Sequence, residues 1–187
     1  MRVISGKAKG RKLKRVPGDS TRPIMDRVKE NLFNILGDFV PGSRWLDLFA
    51  GTGQVGIEAL SRGAAEVIFV DNVRAAVNTV KDNLRHTRLT EDAVVLQTDA
   101  FRYLESPKGA PFDLIYVAPP QYKKLWEQVV AILDQRPSDY LTIDGLLVVQ
   151  IDPKEYRDLD LGQLVETDQR RYGSTLLCFY ELPVIVT

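Results

Sequence analysis

The sequence predicts an α/β fold, built on a mainly parallel sheet that ends in an antiparallel pair of strands. From residue 44 onward, short runs rich in β-branched and aromatic residues alternate with helical stretches, the order that makes crossover units. Two of those runs, Trp45-Leu46-Asp47-Leu48-Phe49 and Phe112-Asp113-Leu114-Ile115-Tyr116-Val117, are too apolar for a sheet with one wet face. After Asp152-Pro153 the helical stretches cease, and residues 164–170 and 175–182 read as an antiparallel pair joined through Tyr172-Gly173-Ser174.

The elements follow in order. Residues 2–5 and 11–16 read as short strands around the turn-prone Gly6-Lys7-Ala8-Lys9-Gly10, and Pro17-Gly18-Asp19-Ser20 breaks the chain. Beyond Arg22-Pro23, the spacing of Ile24, Val28, Leu32, Ile35 and Leu36 predicts a helix that stops near Gly37. Strands are expected at 44–49, 66–71, 93–99, 112–118 and 146–151, with helices near 54–62, 73–87 and 122–135. No internal repeat and no low-complexity segment interrupts this pattern.

A length of 187 residues suits one domain, read as a basic amino-terminal extension over 1–36 and a ligand-binding core over 40–187. Formal net charge is zero, yet residues 1–30 hold ten Lys or Arg against three acids, so an excess of seven positive charges there faces an equal negative excess elsewhere. Such polarity offers a basic face to a polyanion, although a solvated basic strand pair would look the same. Cys178 and His86 are the sole cysteine and histidine, which leaves no intrachain disulfide, zinc cluster or Cys/His nucleophile pair to expect. Cys178 sits in an apolar run as a buried small hydrophobe, and His86 closes a helix. The first residues lack a signal-peptide core, and no run approaches the length of a membrane span, so a cytoplasmic protein is expected.

The strongest local signal is Asp47-Leu48-Phe49-Ala50-Gly51-Thr52-Gly53-Gln54-Val55-Gly56, between an expected strand and an expected helix. Gly51, Gly53 and Gly56 form G-x-G-x-x-G, which lets the backbone turn tightly and a ligand approach at the carboxyl end of the first strand. Asp71 ends the second strand, 24 residues after Asp47, where an acid accepts the hydroxyls of a ribose. To that point a nicotinamide dinucleotide and S-adenosylmethionine are served equally. Asp47 separates them, because a carboxylate beside the loop repels a pyrophosphate and attracts the ammonium of a methionine moiety. Asp99-Ala100 ends the third strand where an acid and an apolar residue flank an adenine, and Phe49, Thr52 and Asn72 complete the expected cofactor set. Read singly, each acid also fits a helix cap after a strand.

At the end of the fourth strand stands Val117-Ala118-Pro119-Pro120-Gln121-Tyr122. With Ile4-Ser5-Gly6, Gly10 to Leu13, Thr21-Arg22-Pro23, Arg27 to Leu36, Asp47 to Gly56 and Glu58 to Ala64, it gives the chain a resemblance, over essentially its whole length, to the bacterial 16S ribosomal RNA guanine-N2 methyltransferases of RsmD type. The resemblance implies a seven-stranded Rossmann-like methyltransferase fold with a small amino-terminal hairpin and helix. It also implies S-adenosylmethionine as cofactor and the exocyclic N2 of a guanine in small-subunit ribosomal RNA as target, on free RNA or an assembling particle, with no membrane and no metal involved. Ala118, Pro119, Pro120, Gln121 and Tyr122 then form the expected catalytic segment, and Lys7, Lys9, Arg11, Lys12, Thr21 and Arg22 the expected RNA contacts. The family's usual acid stands here as Ala118 and its aromatic as Gln121. By position, the Pro119 carbonyl and the Gln121 amide would accept the amine hydrogens, and Tyr122 would stack on a flipped base. Alternatives are a methyltransferase for another amine (adenine N6, a protein or a small molecule), or an RNA-binding assembly factor impaired in catalysis. An NAD-dependent dehydrogenase is disfavoured by Asp47.

Overall fold

Strands that are apolar on both faces dominate, as the runs around Trp45 and Leu114 demand. The computed structural model of the chain describes residues 1–18, 23–106 and 109–183, which fall into two compact units, Met1–Ala100 and Phe101–Thr187. In the first unit, helix α1 (Asp26–Leu36) precedes β1 (Arg44–Leu48), α2 (Gln54–Ser61), β2 (Glu66–Asp71), α3 (Arg74–Thr87) and β3 (Ala93–Gln97). β1 runs parallel to β2 and β2 parallel to β3; the pairs Leu48↔Val70 and Asp71↔Gln97 set the carboxyl ends of all three along one edge.

Helix α2 packs closely on β2. A Cβ at Gly56 would stand 2.4 Å from the Phe69 ring, so the third glycine of the motif serves helix–sheet packing. Phe33 of α1 stacks on Trp45 of β1 with ring centroids 5.6 Å apart, and the Arg62 guanidinium lies 4.8 Å from the Phe33 centroid.

The amino-terminal hairpin is closed by a single antiparallel bridge, Arg2↔Lys12, in place of two continuous strands. The reason lies in where its amides go. Ile4 and Ser5 donate to the carboxylate of Glu58 on α2 at 2.8 and 3.0 Å, and Lys7 and Ala8 donate to the carbonyl and hydroxyl of Ser61 at 2.7 and 2.9 Å. Gly6, at φ +83°, makes this docking possible, since a Cβ there would meet the Ser61 carbonyl at 1.8 Å.

Helix α4 (Ala100–Glu105) leads into the second unit, which holds β4 (Phe112–Val117), α5 (Leu125–Gln135), β5 (Leu141–Ile151), β6 (Val165–Tyr172) and β7 (Thr175–Glu181). β4 and β5 are parallel, whereas β7 is antiparallel to both β5 and β6. The seven strands carry the order β3-β2-β1-β4-β5-β7-β6, the mixed Rossmann-like sheet with its antiparallel finish.

β5 begins five residues earlier than the apolar run 146–151 suggests. Its register against β4 jumps from Leu141 to Leu146, and Thr142-Ile143-Asp144-Gly145 loops out between them with Ile143 84% exposed. Among the described residues, no helix is long and apolar enough to cross a membrane.

Candidate active site

Every residue of the expected cofactor set lies in the first unit, along the edge where β1, β2 and β3 end. The chain leaves β1 through alternating left-handed residues, with Phe49 at φ +68°, Gly51 at +56° and Gly53 at +75°. Phe49 bears the cost, about 1–3 kcal/mol for a bulky side chain in this region, which the surrounding loop must enforce. Ala50 donates to the Val70 carbonyl at 2.9 Å, and Gly53 to the Ala50 carbonyl at 2.7 Å.

Asp71 fastens this loop to α3. Its Oδ2 accepts the Gly51 N–H and its Oδ1 the Val73 N–H, both at 2.9 Å, and each oxygen keeps a lone pair for a further donor. Asp47 is buried and its Oδ2 accepts the Gly56 N–H at 3.2 Å, which satisfies an orphan donor in the first turn of α2. Asp47 therefore also satisfies a first-turn amide of α2, as a cap would, whereas Asp71 closes a turn ahead of α3 through the amide of its N-cap residue Val73. Asn72 and Asp99 are exposed, Phe49 and Gly51 half-buried, and Thr52, Gly53 and Ala100 buried.

Burial pushes the Asp47 carboxyl up to about 8; the nearby charge of Asp71 adds to this and the Gly56 N–H partly opposes it. Between about pH 4, where the unfolded chain ionises this group, and about 8, where the folded chain does, the folded state holds one more proton. The stability contributed by Asp47 is thus complete at the acid end and falls by up to ~1.4 kcal/mol per pH unit across that window. Asp47→Asn should cancel this slope, so that the difference in melting temperature between wild type and variant changes sign or shrinks steadily from pH 5 to pH 8 in thermal scans. A constant difference would contradict it.

Two side chains, Asn83 outside the motif and Gln54 within it, bind the loop region to the basic amino-terminal segment. Asn83 of α3 donates to the Thr52 carbonyl at 3.0 Å and to the Lys14 carbonyl at 3.1 Å, while its oxygen accepts the Lys14 N–H at 2.7 Å. Gln54 donates to the Ile24 carbonyl at 3.0 Å. Of the expected RNA contacts, Lys7, Lys9 and Lys12 are exposed, and the half-buried Arg11 donates to the His86 carbonyl at the end of α3. Thr21 and Arg22 lie outside the described residues.

The expected catalytic segment belongs to the second unit. Val117 of β4 pairs with Val149 of β5, so residues 118–122 and 152–155 leave neighbouring parallel strands at the same edge. Ala118, Pro119 and Gln121 are half-buried and Pro120 is exposed. Tyr122 is 63% exposed and left-handed at φ +60°, as is Lys124 at +55°; this is why α5 starts at Leu125 and not at 122. The Tyr122 hydroxyl donates to Asp152 Oδ2 at 2.9 Å and its N–H to Glu155 Oε1 at 2.6 Å, which fixes the ring from both ends. Asp152 in turn accepts the Lys154 N–H at 2.9 Å and caps the short turn Pro153–Glu155. Among the described residues, no group of three or more His, Cys, Asp or Glu is placed to hold a metal.

A family model described as conserved hypothetical protein 95 matches residues 1–181. YlbH of Bacillus subtilis (strain 168), provisionally named an rRNA methyltransferase, is 42% identical over 183 residues, 97% of this chain and 98% of that protein. The Haemophilus influenzae protein named ribosomal RNA small subunit methyltransferase D is 36% identical over 152 residues, 80% of this chain and 78% of its own. The solved structure of yhhF from Escherichia coli, provisionally described as a methyltransferase, superposes with a TM-score of 0.81 at 32% identity, covering 97% of each chain.

Proposed function

Because the chain belongs to the family described as conserved hypothetical protein 95, whose match spans residues 1–181, we propose that it transfers a methyl group from S-adenosylmethionine to the exocyclic N2 of a guanine in small-subunit ribosomal RNA. The relatives named as ribosomal RNA methyltransferases support the reaction class and the RNA. The single observation that carries the cofactor is the acid-lined glycine loop. Residues 47–54 contain no Lys or Arg to neutralise a pyrophosphate, while Asp47 lies buried beside the loop and Asp71 fastens it.

That donor set fits S-adenosylmethionine. When bound, the cofactor supplies a methyl group on a sulfonium, a strong electrophile. Asp47 would face its ammonium, and a cation there draws the carboxyl back to its ionised form. Asp71 would accept the ribose hydroxyls on the lone pairs its two backbone partners leave open. Asp99 and Ala100 would flank the adenine, with Phe49, Thr52 and Asn72 around them.

The nucleophile is a poor one, because the N2 lone pair is delocalised into the base. The Pro119 carbonyl and the Gln121 amide oxygen would accept the two amine hydrogens and favour a pyramidal nitrogen, and Tyr122 would stack on the flipped guanine. Lys7, Lys9, Arg11, Lys12 and Arg22 would meet the phosphates. We read the chain as one methyltransferase domain acting in the cytoplasm on ribosomal RNA, free or in an assembling particle.

The test is incubation of the protein with labelled S-adenosylmethionine and small-subunit particles from a strain lacking its gene, followed by mapping of the labelled nucleotide. Label on N2 of one guanine is expected, reduced tenfold or more by Gln121→Ala and by Tyr122→Ala. Label on adenine or on protein, or none at all, would sink the reading. Full activity of both variants would remove the roles given to those two side chains.

A further inference from the structure

Glu155 carries a buried oxygen that no hydrogen-bond donor of the described residues reaches. Its Oε1 accepts the Tyr122 N–H at 2.6 Å, but its Oε2 is out of contact with solvent and meets no hydrogen-bond donor among the described residues. A buried carboxylate oxygen left without a donor is costly, and such atoms in native proteins call for a specific explanation. The place of this one is informative. It stands at the carboxyl edge shared by β4 and β5, hydrogen-bonded to the residue whose exposed ring is the stacking face proposed above.

We propose that Glu155 Oε2 accepts the N1–H of the target guanine and thereby selects guanine over adenine. The inference rests on the function proposed above and adds the residue that reads the base. The chemistry is asymmetric. Guanine presents N1–H and N2–H as adjacent donors on one edge, which suits a carboxylate that offers only lone pairs. Adenine presents an acceptor at N1, and two acceptors facing each other repel. Pro119 and Gln121 then deal with the amine, whereas Glu155 deals with the ring nitrogen beside it. No local spacing signals this contact, because Glu155 lies 33 residues from Tyr122 and follows a different strand.

The discriminating variant is Glu155→Gln. Its amide oxygen still accepts the Tyr122 N–H, so the loop stays anchored, but an NH2 now stands where Oε2 was. The substrates are small-subunit particles carrying either guanine or 2-aminopurine at the mapped nucleotide. 2-Aminopurine keeps the exocyclic amine and has an acceptor at N1. Wild type should prefer guanine. In Glu155→Gln, transfer to guanine should fall about tenfold to a hundredfold, the loss expected for a hydrogen bond to a charged group, and the 2-aminopurine-to-guanine ratio should rise at least tenfold. S-adenosylhomocysteine affinity and melting temperature should not move. An unchanged ratio, with wild type methylating guanine, overturns this inference alone. Wild type that methylates no guanine overturns it together with the proposed function.

Discussion

Glu58→Ala should cost about 3–5 kcal/mol of stability, the range found when one member of a buried ion pair is removed, and lower the melting temperature by roughly 10 °C. Its carboxylate is fully buried and gathers four donors: the Ile4 and Ser5 amides, the Arg62 guanidinium at 2.8 Å and the Lys29 ammonium at 3.3 Å. Lys29 is fully buried as well, and desolvation already lowers its pKa against the attraction of Glu58. Without Glu58 the hydrogen-bond acceptor left to it among the described residues is the Arg2 carbonyl at 2.6 Å, and the Ile4 and Ser5 amides lose theirs. A double variant, Glu58→Gln with Lys29→Met, should recover much of the loss, since replacing both partners removes the uncompensated charge. Thermal scans of the three proteins decide it. A loss under ~1 kcal/mol in Glu58→Ala would mean that the amino-terminal segment is held by its apolar residues Val3, Ala8 and Leu13 instead.

The same hub explains what could and could not be read from sequence. β1, β2 and β4 were legible because burial on both faces writes a continuous apolar run, and α1 and α3 because one-sided burial writes a helical stripe. Helix α4 was not, since the six residues of Ala100–Glu105 are too few to show a period. The hairpin's expected strands depended on amides bonding to each other, and α2, more than fifty residues away, takes those of Ile4 and Ser5.

The site divides in the same way. Asp47, Gly51, Gly53 and Asp71 stood out because the chain must turn at the end of one strand and place an acid at the end of the next, which is a matter of local spacing. Asn83, Asp152 and Glu155 reach their partners across 69, 30 and 33 residues, so only the folded chain brings them together. For Asn83 the signal would have been a polar side chain at a position whose helical neighbours are buried, and Glu155, between Lys154 and Tyr156, had none of that kind. Asn83 lies fully buried on α3 between Val80 and Leu84.

Asp71→Ala should weaken S-adenosylhomocysteine binding about a hundredfold or more, measured by calorimetry, for two additive reasons. The carboxylate would accept the ribose hydroxyls, and a hydrogen bond to a charged group contributes about 1.5–3 kcal/mol. It also preorganises the loop, because Gly51 and Val73 both donate to it, and without that acceptor Phe49 must hold its left-handed conformation with less support. Asp71→Asn separates the two. An amide oxygen can keep one backbone N–H, but the NH2 that replaces the other oxygen faces a donor, so this variant should bind nearly as poorly as Asp71→Ala although it is closer in shape. Asn72→Ala, a change at an exposed neighbour, should alter affinity far less. If Asp71→Asn bound like wild type, the carboxylate charge would be irrelevant to the site and the ribose assignment would fail. If Asn72→Ala weakened binding as much as Asp71→Ala, the decisive contact would be the turn after β2 and not the acid that ends it.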